Sequence, residues 1–491
     1  MKPPLFKRII TGIFSRKMAV RLLFAVVILA TLFMIFHRVE NWRGKRAWEA
    51  YRKSAEARGV QLWLRDLVTP SIPSEENFAS IPFFKGRFGT PDERKAAEAL
   101  LPGSAAEGMS RPAIGNSQEG KQTNPVAWRD FLVKAKVIDT SSENPARDIV
   151  AALDKLPGLQ QIREAAGRPK SKYPTDVEKG FAAELPHLSA IQSATTYIVL
   201  DAEARLTLGD SVGAFDDVKL LLRVADSIRE EPFLISLLVR ASAIQRVIHI
   251  VHLGLTKGAW DEVQRNALEQ KLAAQNLITG LRFAMSCERA GMTTELERLA
   301  TNPAYSESAV WQSTGASPAM SFTYPRGWIY LNMVKGNEMH DTISAAYVPT
   351  DGVPPDCLPT SALEKIEQEV AKLTGLDRYR FLFVHLLMPA LTNVEKNVLF
   401  VQATIAQARV ALALEQEKAV SGQYPESAAS NALFAIQKDP CNAQPLRYRR
   451  TDSGYELWSV GTDRKDDSGK GNPNETNSKN QPDWVWKLGR K

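Results

Sequence analysis

Between Leu22 and Phe36 the chain reads LLFAVVILATLFMIF, fifteen residues without a charge, and no other feature restricts the fold as much. Met18–Arg21 extends the run to nineteen residues, close to the ~20 that a helix needs to cross the hydrocarbon core of a bilayer. Arg21 can reach the headgroups along its aliphatic stem. Lys2, Lys7, Arg8, Arg16 and Lys17 precede the run with no acidic residue among them, which favours a cytoplasmic N-terminus. The basic residues after it, Arg38, Arg43, Lys45 and Arg46, weaken that asymmetry without reversing it. A cleaved signal peptide is the competing reading. The run leaves through Phe36-His37-Arg38-Val39-Glu40-Asn41-Trp42, with no small-x-small cleavage site, so we read an uncleaved signal-anchor.

This predicts a single-pass membrane protein, held by residues 18–37, with its C-terminal bulk extracytoplasmic. The formal charge of +7 and pI of about 9.1 do not contradict that placement. Residues 1–60 hold thirteen Lys/Arg against three Glu, leaving the remainder at a net −3. The body is slightly acidic and lacks the clustered basic footprint of a nucleic-acid binder. Cys287, Cys357 and Cys441 are too few and too scattered for a disulfide framework or a zinc site. One bridge with a spare thiol and three isolated buried cysteines both remain open.

The fold class expected is mainly α: an N-terminal transmembrane helix, an irregular helical bundle or solenoid-like body, and a small C-terminal α+β module with an antiparallel hairpin. Residues 1–17 form the basic tail and 18–37 the anchor. Residues 38–125 read as a juxtamembrane helix ending near Gly59, followed by extended linker that includes TPSIPSEENFASIPFF. Residues 126–298 form a helical domain. Within it Asn144-Pro145 is suited to a helix start, and Pro157 divides one apolar pattern into two helices. Residues 299–360, rich in Pro, Ser, Thr and Gly, read as loops; 361–391 read as helix. Residues 392–491 begin with the longest helical candidate, Thr392–Ser421. Alternation about Thr451–Gly454 then signals a hairpin, and Trp484 and Trp486 face one way from an extended segment.

Gly209-Asp210-Ser211-Val212-Gly213 spells G-x-S-x-G, the pattern of a hydrolase nucleophile elbow. That elbow needs a strand before the serine. Here apolar residues at helical spacing stand on both sides, so Gly209 is read as a helix end and Asp210 or Ser211 as an N-cap. His249 and His252 share a helical face among apolar neighbours and are read as core or interface histidines. Asn337-Glu338-Met339-His340-Asp341 is a short mixed cluster in the loop-rich stretch. Cys287-Glu288-Arg289 would host a reactive thiol only if Arg289 lowered its pKa; helix packing is the better reading. No catalytic or cofactor-binding residue is assigned. Asp463, Asp466 and Asp467, with Asn472, Asn474 and Glu475, offer oxygen ligands of the kind calcium takes, without EF-hand spacing.

The final ninety or so residues resemble the head of type II secretion major pseudopilins, through a long helix, Tyr424-Pro425, Asp439-Pro440, an aromatic strand pair and Ser459-Val460-Gly461-Thr462-Asp463. The resemblance implies a helix packed on a small antiparallel sheet and a calcium-binding loop, here at Asp463, Asp466 and Asp467. Asp439-Pro440-Cys441-Asn442 stands where pseudopilins have Asp-Pro-Trp-Gly. Over its whole length the chain is similar to a group of membrane-anchored verrucomicrobial and planctomycete proteins, through LPHLSAI, EARLTLGD, EEPFLISLLVRAS, CERAGM, GQYPES, PLRYRR, SVGTDRKDD and DWVW. That group implies architecture and compartment without a mechanism. The function expected is an extracytoplasmic scaffold or binding platform with a protein partner in the envelope. The alternatives are an envelope hydrolase with an unrecognised site and an accessory of a pseudopilin-type secretion system.

Overall fold

The computed structural model describes residues 16–67, 70–102, 111–116, 121–138, 142–302, 323–348, 351–361, 363–388, 390–427, 434, 437–471 and 478–489. The helices are α1 (Arg16–Ala57), α2 (Pro91–Ala99), α3 (Pro125–Lys134), α4 (Pro145–Leu153), α5 (Pro157–Ala165), α6 (Pro186–Leu208), α7 (Ser211–Asp226), α8 (Leu234–Lys257), α9 (Glu262–Ala273) and α10 (Leu277–Thr301). They continue with α11 (Arg326–Ala346), α12 (Leu363–Ala371), α13 (Gly375–Arg380), α14 (Leu382–Leu387) and α15 (Ala390–Ser421). Strands β1 (Arg447–Thr451), β2 (Gly454–Ser459) and β3 (Trp484–Gly489) follow. The molecule is mainly helical with one small antiparallel sheet, as the sequence predicts.

The chain divides into two compact units. The first comprises Met1–Trp63, Arg289–Met339 and Gln368–Pro389; the second comprises Leu64–Glu288, His340–Glu367 and Ala390–Lys491. In the first unit α1 is one continuous helix of 42 residues, about 63 Å long. Residues 18–36 are exposed at every position. Beyond them Glu40 turns inward, 4% exposed. It accepts from Arg380 Nη2, Trp328 Nε1 and Arg43 Nη1, each at 2.7 Å. Burial pulls the Glu40 pKa up, but the bonds from Arg380 and Trp328 outweigh it and hold the carboxyl below its ordinary value. The crossing of α1 and α11 is made by Gly44 and Gly327. A Cβ on Gly44 would lie 2.0 Å from the Gly327 carbonyl oxygen, and one on Gly327 would lie 1.9 Å from that of Glu40. Only glycine admits so close a backbone approach.

In the second unit α6 packs on α4, α7 and α8, while α8 and α9 pack on α15. The sheet has the order β1-β2-β3, and β2 and β3 lie on α15. Thr451 pairs with Gly454, so Asp452-Ser453 is the whole hairpin loop. β3 pairs antiparallel with β2, Trp486 opposite Leu457, and both Trp484 and Trp486 are buried. By length and composition α1, α8 and α15 could each cross a membrane. The apolar window of α1 is 0% buried, against 67% for α8 and 83% for α15. The latter two form the core of the second unit.

Two stretches depart from the sequence reading. Within the predicted linker, Pro82–Lys85 is a helical turn and Phe78, Phe83 and Phe84 are fully buried. Residues 82–99 are packed helices and not extended chain. Within the predicted loops of 299–360, α11 is a helix of 21 residues. Its buried Asn332 donates to the Trp328 carbonyl at 2.7 Å and accepts from Phe383 N and Val384 N at 3.1 Å. Internal polar partners of this kind disguise a core face. The Asn337–Asp341 cluster therefore sits on a helix; residues 351–360 are turns and irregular chain, as the sequence predicts, and 303–322 and 349–350 lie outside the described residues.

Candidate functional site

The turn between α6 and α7 organises the candidate site. Gly209 ends α6 in the left-handed conformation, with φ 81°. Asp210 caps α7 by accepting from Gly213 N at 2.9 Å, a bond that, with Arg205, holds its pKa below the ordinary value. Ser211 is the first residue of α7, and its carbonyl accepts from Gln264 Nε2 at 3.2 Å. The G-x-S-x-G letters are thus a helix–turn–helix corner, as the sequence predicts.

Immediately behind that corner, two arginines meet four aspartates. Arg205 donates to Asp201 at 3.2 Å, Asp210 at 3.0 Å and Asp154 at 2.9 Å. Arg163, from α5, donates to Asp201 at 2.5 Å and to Asp154 at 3.3 Å. Asp217 joins from α7, its Oδ2 lying 3.4 Å from Arg205 Nε as an ion pair without a hydrogen bond. Asp201 is 0% exposed and Asp217 4%. Burial pushes Asp201 up to about 6, opposed by Arg205 and Arg163. Asp217 is raised well above the carboxylate range, first by burial and then by the charge of Asp201. Two guanidinium groups do not neutralise four carboxylates, and Asp217, which has fewer donors than Asp201, is the less favoured of the two as a carboxylate.

Asp217, Arg163 and Arg205 form one end of a cavity of about 830 Å³. At the other end lie Arg223, Asp226, Lys271 and Gln275. Arg223 donates to the carbonyls of Ala166, Arg168 and Lys170 and stands 4.2 Å over the ring of Phe78. Asp226 is shared by Arg229, at 3.0 Å, and by Arg240, at 3.1 Å, which is 2% exposed. Lys271 has no ion pair among the described residues. The cavity is thus lined by five basic side chains, Arg163, Arg205, Lys219, Arg223 and Lys271, alongside Asp154, Asp216, Asp217 and Asp226. Asp217 and Arg223 are six residues apart on α7, about 9 Å along its axis.

The remaining sequence candidates fall elsewhere. His249 lies 2.6 Å from Glu203, the backbone of Gly115 packs against the pair, and both residues line a separate cavity of about 330 Å³. His252 donates from Nε2 to the Lys487 carbonyl at 3.0 Å and meets Trp486 edge-on. Burial depresses its pKa to about 4, so it stays neutral. The two histidines serve separate contacts, as core and interface residues. The Cys287 thiol is buried and pushed up to about 12 by that burial and by Glu288, which makes it unreactive as a nucleophile.

In the C-terminal loop Asp463 accepts from Lys465 N at 3.1 Å. Asp466 accepts from Arg447 Nε at 2.9 Å and from Trp458 Nε1 at 3.0 Å. Asp483, which the sequence reading did not single out, accepts from Gly469 N at 2.8 Å and from the Asp467 backbone. Among the described residues no three His, Cys, Asp or Glu side chains group as metal ligands. Asn472, Asn474 and Glu475 lie outside the described residues. Comparisons with protein-family models, curated proteins and solved structures found no match for this chain.

Proposed function

We propose that this chain is a single-pass membrane protein of the bacterial envelope whose second unit is an extracytoplasmic binding platform for a small polar anion. Exposed residues 18–36, after a basic N-terminal segment, support the anchor and its orientation. The observation that carries the binding reading is a cavity of about 830 Å³ lined by Arg163, Arg205, Arg223 and Lys271, of which Lys271 has no ion pair among the described residues. Lys271 and Arg223 would hold a carboxylate, and Arg163 and Arg205, beside Asp217 and about 9 Å away along α7, would donate to a carbonyl or hydroxyl oxygen. A carboxylate-terminated peptide of about three residues spans ~10 Å when extended.

Isothermal titration of the full chain in detergent with trialanine and with trialanine amide tests this reading. Saturable heat is expected from trialanine, none from the amide, and at least tenfold weaker binding in Lys271→Ala. Equal behaviour of the two peptides, or binding to neither, would reject this ligand class.

A further inference from the structure

The three cysteines are free and buried in this structure, and two of them are brought together from positions far apart in the chain. The Leu358 amide donates to the Pro440 carbonyl at 2.7 Å, so Cys357 and Cys441 each stand next to one end of the same backbone hydrogen bond. The two thiols are also near enough for Cys357 to add to the rise in the Cys441 pKa that burial and then Asp439 cause, and a disulfide needs its Cα atoms roughly 4.4–6.8 Å apart. The Cys357 Sγ lies 3.6 Å from the Asp439 carbonyl oxygen, two residues before Cys441. Cys441 Sγ accepts from Ser459 Oγ at 3.7 Å. Cys287 lies on α10, whose Arg282 donates to the Pro355 carbonyl, but it takes no part in the bonds that join the Cys357 and Cys441 segments.

We propose that Cys357 and Cys441 are a disulfide-forming pair that ties the segment before α12 to the C-terminal helix-and-sheet module, with Cys287 left as the free thiol. The bond forms by exchange. One thiolate attacks the disulfide of an envelope dithiol oxidoreductase or of oxidised glutathione, and the second thiolate displaces that carrier. Two protons leave the cysteines and two electrons reduce the carrier to its thiols. Occupancy of the bond in the cell rests on the extracytoplasmic placement proposed above; the pairing itself does not.

The test uses purified full-length protein in detergent, equilibrated with a glutathione–glutathione disulfide buffer at mildly alkaline pH. A parallel sample is passed through denaturant in the same buffer to overcome burial of the thiols. Denaturing alkylation before and after reduction counts the thiols, and peptide mass analysis identifies any bridge. The expected result is one alkylatable thiol before reduction, a Cys357–Cys441 peptide, an unchanged bridge in Cys287→Ser and no bridge in Cys357→Ser. Three free thiols in both samples, or a bridge through Cys287, overturns the pairing. Acid-trapped cells are then alkylated in the same way. A bridge that forms in the buffer and is reduced in those cells contradicts the periplasmic placement while upholding the pair.

Discussion

Asp201 and Asp217 meet the same two arginines with different outcomes, because donors are unequally shared. Asp201 receives hydrogen bonds from both Arg163 and Arg205, whereas Asp217 Oδ2 receives none. Removing a charge from the better-paired group leaves two partly buried guanidinium groups under-compensated, at a cost toward the low end of the roughly 3–5 kcal/mol of a fully buried pair. Asp201→Asn is therefore expected to destabilise by roughly 3 kcal/mol and Asp217→Asn by less than about 1 kcal/mol, measured by urea unfolding at pH 7. Equal losses would show that Asp217 is not the less favoured carboxylate. Both carboxyls are raised in the folded state, so folding takes up protons. The resulting stability is fully present below an unfolded pKa of about 4; it is lost as pH rises through about 6 for Asp201, and for Asp217 as pH rises through its own raised pKa. Asp217→Asn should make that decline shallower; an unchanged slope would contradict the assignment. In the sequence the Asp201–Arg205 spacing on one helix was legible, but Arg163 lies 38 residues from Asp201 and no local pattern announces it. Asp210 as a cap was legible because capping needs nothing beyond one turn.

Among the elements, those whose stability is local were the ones the sequence disclosed. Asn144 caps α4 with Pro145 at its first position, α5 begins at Pro157, and the two-residue hairpin loop follows Thr451. α11 was hidden because its core face includes Asn332, whose amide is satisfied by Tyr324 and nearby backbone, and Asn337, whose amide nitrogen donates to Thr293 and to the Met333 carbonyl. The turn at Pro82–Lys85 was hidden because three phenylalanines among prolines give no helical period. Glycine matters most where α1 crosses α11. Gly44→Ala should lower stability by about 2 kcal/mol or more, since its Cβ would overlap Gly327 backbone that has no rotamer by which to yield. Thermal unfolding that matches the unmutated protein would refute that crossing. The Cys357–Cys441 bond would close a loop of more than 80 residues, and chain-entropy models assign such a loop about 4 kcal/mol. Reduction of the oxidised protein should accordingly lower its melting temperature by several degrees, and Cys357→Ser should abolish that response.

For the molecule as a whole, three helices meet the length and hydropathy of a membrane span, yet burial separates them: α8 and α15 are core, and α1 carries its apolar stretch in the open. A bare apolar surface of that length on α1 has a ready physical partner in lipid. The buried Glu40 with Arg380 and Trp328 would then fix the helix just beyond its apolar segment. The most direct test places an epitope at the C-terminus and exposes spheroplasts to protease. Single-pass, periplasmic topology predicts loss of the epitope in intact spheroplasts, retention of the membrane fraction through alkaline carbonate, and release to the soluble fraction when residues 1–37 are removed. An epitope protected until the spheroplasts are lysed would contradict it.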